Sequence, residues 1–169
     1  NSLFLKKGIE TKTFWKSTLF HIEDLPFPIS QKPEVFTQFR KECEKFSQVR
    51  KFLEKPRKIK FPEIGIELGK IPELSTFGLS EPSVVKKGVL PFVGGEDAGI
   101  QRLQSYFWEN DCLKTYKETR NGLLGPDYSS KFSAWLALGC ISPRFIYEEV
   151  GRYENERKME FKRQSKYGN

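Results

Sequence analysis

The feature that most constrains this chain is the stretch from residue 56 to residue 95, which has neither helical nor strand periodicity. Proline recurs in it about every ten residues, at Pro56, Pro62, Pro72, Pro82 and Pro91. Because proline lacks a backbone N–H and fixes φ, this spacing excludes a long helix or a central strand. A structureless connection longer than about 15 residues is uncommon inside one compact domain. We therefore expect a domain boundary in this stretch.

Composition narrows the class of protein. The 169 residues include 29 Lys and Arg against 22 Asp and Glu, a net charge of +7, which suits polyanions such as nucleic acid or phosphorylated cofactors. No apolar run approaches the roughly 18 residues that a membrane span needs. One histidine and three widely separated cysteines exclude an ordinary zinc site and a disulfide scaffold, so we expect a reducing, intracellular compartment.

Before residue 56, the apolar pattern predicts two elements. Residues 14–20 are compatible with a strand, which Pro26 and Pro28 would close off. Residues 34–54 are expected to form an amphipathic helix, because apolar side chains recur there at steps of three and four. These side chains are Phe36, Phe39, Cys43, Phe46, Val49 and Leu53.

After residue 93, the pattern predicts three helices. The first begins near Glu96 and runs to about Arg120, and the second opens at Ser129 and Ser130. The third starts with Ser142 as N-cap and Pro143 at the first helical position. The side chains expected to face the core are Ile100, Leu103, Tyr106, Phe107 and Leu113, then Phe132, Trp135 and Leu136, then Ile146, Val150 and Tyr153. We expect Trp108 to lie in the core as well.

Residues 116–144 carry the chemistry. A phenol and two cations, Tyr116, Lys117 and Arg120, precede a glycine-bearing turn, and three serines at positions 129, 130 and 133 then surround Lys131. Serine hydroxyls, free N–H groups at a helix start and a lysine are the groups that form an anion site. The alternative is that the serines only cap the helix and that the lysine is solvated.

These residues resemble the start of the flavin-binding helical domain of the photolyase/cryptochrome family, in its cryptochrome-DASH branch. The resemblance rests on residues 116–125 (YKETRNGLLG), 127–133 (DYSSKFS) and 135–144 (WLALGCISPR). Residues 17–19, 24–27 and 36–40 are similar to the branch's linker region. Two positions depart from the pattern: Lys16 replaces an expected glycine and Ala134 an expected proline.

The resemblance implies a mainly α fold that belongs to a longer protein. Residues 1–20 would be the tail of an α/β antenna domain, residues 21–93 an interdomain linker with one amphipathic helix, and residues 94–169 the start of an all-helical FAD-binding domain. It further implies that FAD is the cofactor and that its phosphates are held around the serine-rich segment. The residues so implicated are Tyr116, Ser129, Ser130, Lys131, Phe132 and Ser133.

The resemblance also implies a function. Arg120 would bind a DNA backbone phosphate, the alternative being a structural ion pair with Glu118 or with a neighbouring helix. The full protein would be a monomeric deoxyribodipyrimidine photolyase that repairs UV damage in mainly single-stranded DNA, with an antenna folate (methenyltetrahydrofolate) as a second chromophore. Its electron-relay and lesion-contacting residues would follow Asn169, so we expect no catalytic residue, no metal site and no activity in this chain by itself.

Two other functions stay open at this point. The first is a blue-light photoreceptor that binds FAD and nucleic acid without efficient repair. The second is a helical anion-binding module without catalysis. A chloroplast, a mitochondrial and a nuclear location are all compatible with the sequence.

Overall fold

The computed structural model describes residues 2–61, 65, 67, 69–80 and 88–167, with the side chains of the last helix described as far as Lys158. The described residues form helices and turns and no strand, which confirms the mainly α fold class. The helices are α1 (Ser2–Lys6), α2 (Phe36–Phe46), α3 (Glu96–Gln104), α4 (Tyr116–Thr119), α5 (Ser133–Ala137) and α6 (Pro143–Tyr167). Short 3-10 turns cover Ile22–Asp24, Ile29–Gln31, Leu74–Phe77 and Cys112–Thr115, and a π-helical turn covers Ser105–Glu109.

The strand compatible with residues 14–20 does not form. Ser17 has a φ of 65°, in the left-handed region, so the chain turns there instead of staying extended. The Trp15 indole N–H donates to the Thr18 hydroxyl at 2.9 Å, and that hydroxyl donates to the Phe20 carbonyl at 2.7 Å. Local side-chain hydrogen bonds of this kind compete with extended structure.

Helix α2 is shorter than the predicted helix over residues 34–54. It ends at Phe46, and Ser47 is already extended, with ψ of 150°. Beyond it, Arg50 donates to both Asp24 oxygens at 2.6 and 2.9 Å, and the Phe52 N–H donates to Glu148 Oε1 at 2.7 Å. These distant partners draw residues 47–54 out of the helix, so tertiary contacts override the local periodicity.

The helix predicted to run from Glu96 to about Arg120 is broken in the middle. α3 ends at Gln104, and Asp111 adopts a left-handed φ of 51°. The Asp111 carboxylate accepts a hydrogen bond from the Tyr153 hydroxyl and another from Arg157 Nη2 at 2.7 Å. A helix that continued through residue 111 could not turn this carboxylate onto α6, so these contacts account for the break.

The core lies where α3, the turn after it, α5 and α6 meet. Its buried members are Leu103, Tyr106, Phe107, Phe132, Trp135, Ile141 and Tyr153. Trp135 is confirmed as a core residue, because its indole N–H donates to the Val93 carbonyl at 2.8 Å and Phe92 packs on its ring. A Cβ on Gly99 would lie 3.3 Å from that ring, so glycine lets α3 approach closely. Trp108 is half-buried and packs against this core, with its ring 5.5 Å from that of Tyr153, and its N–H donates to Glu149 Oε2 at 3.3 Å.

The predicted linker, residues 21–93, contains residues 62–64, 66, 68 and 81–87, which lie outside the described residues. In its described part, α2 is accompanied by short 3-10 turns alone. The domain boundaries stay predictions. No helix among the described residues has both the length and the apolarity to cross a bilayer.

The Asp111 contacts predict a pH-dependent contribution to stability. Burial alone would raise the pKa of Asp111, but the hydrogen bonds from Tyr153 and Arg157 outweigh it and lower that pKa below its usual value. A lowered folded-state pKa stabilises the fold above the unfolded pKa of about 3.9, and the stabilisation is lost as pH falls through the folded value.

We therefore expect Asp111→Asn to destabilise the protein by about 1 kcal/mol at pH 7. Asparagine tolerates the left-handed backbone, so the change isolates the charge. Urea unfolding between pH 7 and pH 3 should show the two stabilities converging below about pH 4. Glu109→Gln, at an exposed carboxylate, is the control and should give no such convergence. A constant difference across this pH range would contradict the prediction.

Candidate functional site

The segment that carries the sequence-predicted site is held by one buried arginine on α3. Arg102 is 9% exposed, and its guanidinium lies over the Tyr106 ring, 5.0 Å from the centroid. Its Nη1 donates to Asp127 Oδ1 at 2.8 Å and its Nε to the Ser130 carbonyl at 3.0 Å. Its Nη2 donates to the carbonyls of Pro126 at 2.9 Å and Ser129 at 3.2 Å. Arg102 thus anchors residues 126–130, which we call the clamped loop.

This anchoring corrects the predicted start of the second helix. The helix begins at Ser133, not at Ser129 and Ser130. The carbonyls of both serines are turned to Arg102, and Lys131 takes a left-handed φ of 62°, so the chain is not helical before Phe132. The N–H groups of Ser129 and Ser130 therefore belong to a loop, and the helix-terminus argument for anion binding does not apply to them.

Lys131 is fixed by the clamped loop rather than fully solvated. Its ammonium lies 3.3 Å from the centroid of the Tyr128 ring, a cation–π contact, and the side chain is half-buried. Tyr128 in turn packs against the turn after α4, where a Cβ on Gly122 would lie 3.1 Å from the Tyr128 Cβ. A side chain at position 122 would therefore crowd the contact between this turn and the clamped loop.

The hydroxyl groups of this region have few partners. Among the described residues, the hydroxyls of Ser129, Ser130 and Ser133 form no hydrogen bond, so they do not cap a helix. The Tyr106 hydroxyl is fully buried and also without a partner in the described part of the chain, and burial raises the pKa of this phenol. Tyr116 is 37% exposed.

The other predicted residues lie at different depths. Phe132 is buried against Tyr106 and Phe107, so its side chain belongs to the core and only its backbone is available to a ligand. Arg120 is exposed, and its guanidinium forms no ion pair with Glu118 or with any other described residue. Lys117 is likewise exposed.

Arg102 and Asp127 are site residues that the sequence reasoning missed. A signal was present, because residues 99, 102, 103 and 106 share one face of a helix at steps of three and four. A cation within an otherwise apolar stripe indicates a buried charge that needs a partner. No three metal-ligating side chains come together in the described ranges.

The chain is similar to several curated proteins and to a solved structure. No family model matches the chain. It is 50% identical over 151 residues to Cryptochrome DASH of Xenopus laevis and 53% identical over 143 residues to Cryptochrome DASH, chloroplastic/mitochondrial, of Arabidopsis thaliana. These matches cover 89% and 85% of the chain, but 29% and 25% of the relatives. The fold matches the crystal structure of the Synechocystis sp. PCC6803 cryptochrome with a TM-score of 0.80 and 51% identity, over 92% of this chain and 32% of that one.

The Gly122 turn gives a test of the site's packing. A Cβ at position 122 would lie 3.0 Å from the Thr119 carbonyl oxygen and against Tyr128, so we expect Gly122→Ala to destabilise the protein by about 1–3 kcal/mol. Gly151→Ala is the matched control, because Gly151 lies inside α6 with open space around it. That variant should stabilise by about 1 kcal/mol through helix propensity. Urea unfolding midpoints measure both, and equal shifts of one sign would contradict the packing.

Proposed function

Because the chain belongs to the cryptochrome-DASH branch of the photolyase/cryptochrome family, we propose that it forms part of a flavoprotein that uses FAD to repair UV-damaged DNA. The chain spans about 30% of the length of the curated relatives that it matches. We accordingly assign the activity to the full-length protein, meaning the complete product of the reading frame that encodes these residues.

The observation that carries the proposal is the set of unpartnered hydroxyls on the clamped loop and the residues after it. A diphosphate is recognised by several hydrogen-bond donors together with positive charge. Ser129, Ser130 and Ser133 supply hydroxyls, and Lys131 supplies an ammonium group held in place by Tyr128. The serine hydroxyls are not used to cap α5, so they remain available as donors to a cofactor phosphate.

In this proposal, Tyr116 donates its phenolic hydrogen to a phosphate oxygen, and Phe132 contributes its backbone.

The proposed domain boundaries are those suggested by the sequence: the antenna-domain tail over residues 1–20, the linker over 21–93 and the start of the FAD domain over 94–169. When bound and reduced, FAD supplies the electron that opens the cyclobutane ring under light. A folate antenna and the residues of the electron relay would be carried by other parts of the full-length protein, which we propose to be an intracellular monomer.

Arg120 is the residue that we propose for DNA. Its guanidinium is exposed and has no partner among the described residues, so a backbone phosphate could pair with it without breaking an existing ion pair. Single-stranded DNA is the expected substrate, because a damaged base is extruded from it at little cost. Loss of cyclobutane dimers under blue light would distinguish this repair function from a photoreceptor that binds the same ligands.

The FAD proposal predicts the effect of two conservative changes. In the full-length protein, Tyr116→Phe and Ser130→Ala should each weaken FAD binding by about 1–2 kcal/mol, the size of one hydrogen bond to a charged group. Fluorescence titration of flavin-stripped protein measures the affinity. Tyr147→Phe, at an exposed tyrosine on α6, is the matched control and should leave it unchanged. Unchanged affinity in the Tyr116 and Ser130 double variant would contradict the proposal.

The DNA proposal predicts a change in salt dependence. Arg120→Ala should weaken binding to damaged and undamaged strands alike, since phosphate contacts carry no sequence information. The slope of log K against log salt should fall by about one unit. Arg40→Ala on α2, also at an exposed arginine, serves as the matched control. If Arg40→Ala flattened the slope and Arg120→Ala did not, the DNA face would lie elsewhere.

A further inference from the structure

We propose that Arg102 is the positioning residue for cofactor binding, acting through the clamped loop without touching the cofactor. This inference rests on the proposed function, because it assigns a role toward the FAD diphosphate. Arg102 lies on α3, outside every segment that the motifs 116–125, 127–133 and 135–144 cover.

The first step of the argument is the number of loop groups that Arg102 engages. Its guanidinium donates four hydrogen bonds, to the carbonyls of Pro126, Ser129 and Ser130 and to the Asp127 carboxylate. The side chain is 8% exposed, so water does not replace these partners readily. The shape of residues 126–130 is therefore determined largely by one side chain that is distant in sequence.

The second step is electrostatic. Backbone carbonyl oxygens carry partial negative charge and would repel a phosphate. In the clamped loop, three of them face Arg102, so the guanidinium neutralises them and keeps them occupied. A loop presented to a diphosphate must have its acceptors taken up elsewhere while its donors stay available. The hydroxyls of Ser129 and Ser130, which have no partner among the described residues, are donors that stay available in this way.

The third step is that only arginine fits this position. A guanidinium has five N–H donors in a planar fork, which here reach four separate oxygen atoms. A lysine ammonium has three donors and is a compact point charge. Arg102→Lys therefore keeps the charge but leaves loop carbonyls without a donor, so charge conservation alone should not restore the loop.

The experiment uses full-length protein, stripped of flavin, with Arg102→Lys, Arg102→Met and Asp127→Asn. Amide hydrogen exchange is followed in the segment 126–133 and, for comparison, in 143–158. FAD affinity is measured on the same samples. Arg152→Lys is the matched control, because Arg152 also stacks on an aromatic ring, Trp108 at 4.5 Å, and forms an ion pair with Glu149, but away from the loop.

We expect Arg102→Lys to raise the FAD dissociation constant about tenfold, with faster exchange confined to residues 126–133. Arg152→Lys should change neither. Where Arg102→Met unfolds the protein, the result for Asp127→Asn decides, because this change removes the negative charge of one partner and keeps the side-chain shape. Unchanged loop exchange, or a loosened loop with unchanged FAD affinity, overturns the inference. Failure of the unaltered protein to bind FAD overturns the proposed function and this inference with it.

Discussion

Burial of the Arg102 guanidinium is the constraint on which the candidate site depends. A cation removed from water costs several kcal/mol unless its donors are satisfied, so the chain must bring oxygen atoms to it. It does so with Asp127 and with carbonyls from residues 126–130. Because those carbonyls accept hydrogen bonds from Arg102, residues 126–130 cannot be helical, and α5 begins only at Ser133. The position of one side chain on α3 thus determines where the next structural element starts.

The sequence predicted those elements whose stability is local. The start of α6 followed from Ser142 and Pro143, and the Ser142 hydroxyl indeed accepts from the Arg144 N–H at 3.3 Å. Helical spacing also predicted the buried side chains Leu103, Tyr106, Phe107 and Tyr153, but Ile100 on α3, which was expected to face the core, is exposed. The predicted length of α2 was wrong, and so was the prediction of an unbroken helix to residue 120. In both cases, contacts with residues far along the chain determine where the helix ends. Glu148 binds the backbone of Phe52, and Tyr153 binds Asp111.

The candidate site was predictable in composition but not in arrangement. The motif residues indicated hydroxyls and cations, yet their spacing suggested a helix start, which would have supplied N–H groups aligned with a helix dipole. The structure provides a loop instead, so any anion held there would depend on side-chain hydroxyls and on Lys131. Arg102 was missed because an arginine in an amphipathic helix ordinarily lies on the solvated face. Its place within the apolar stripe was the available signal.

Lys131 and Arg120, the two cations of the proposed site, differ in burial, and each suits a different anion. Lys131 is half-buried and held over Tyr128, so little side-chain entropy would be lost when it meets a ligand. A cofactor phosphate bound for long periods requires such preorganisation. Arg120 is exposed and free of protein partners among the described residues, which suits a strand that binds and leaves. An exposed contact is also screened strongly by salt, whereas the half-buried lysine is screened less. Salt should therefore weaken DNA binding at concentrations that leave the cofactor in place.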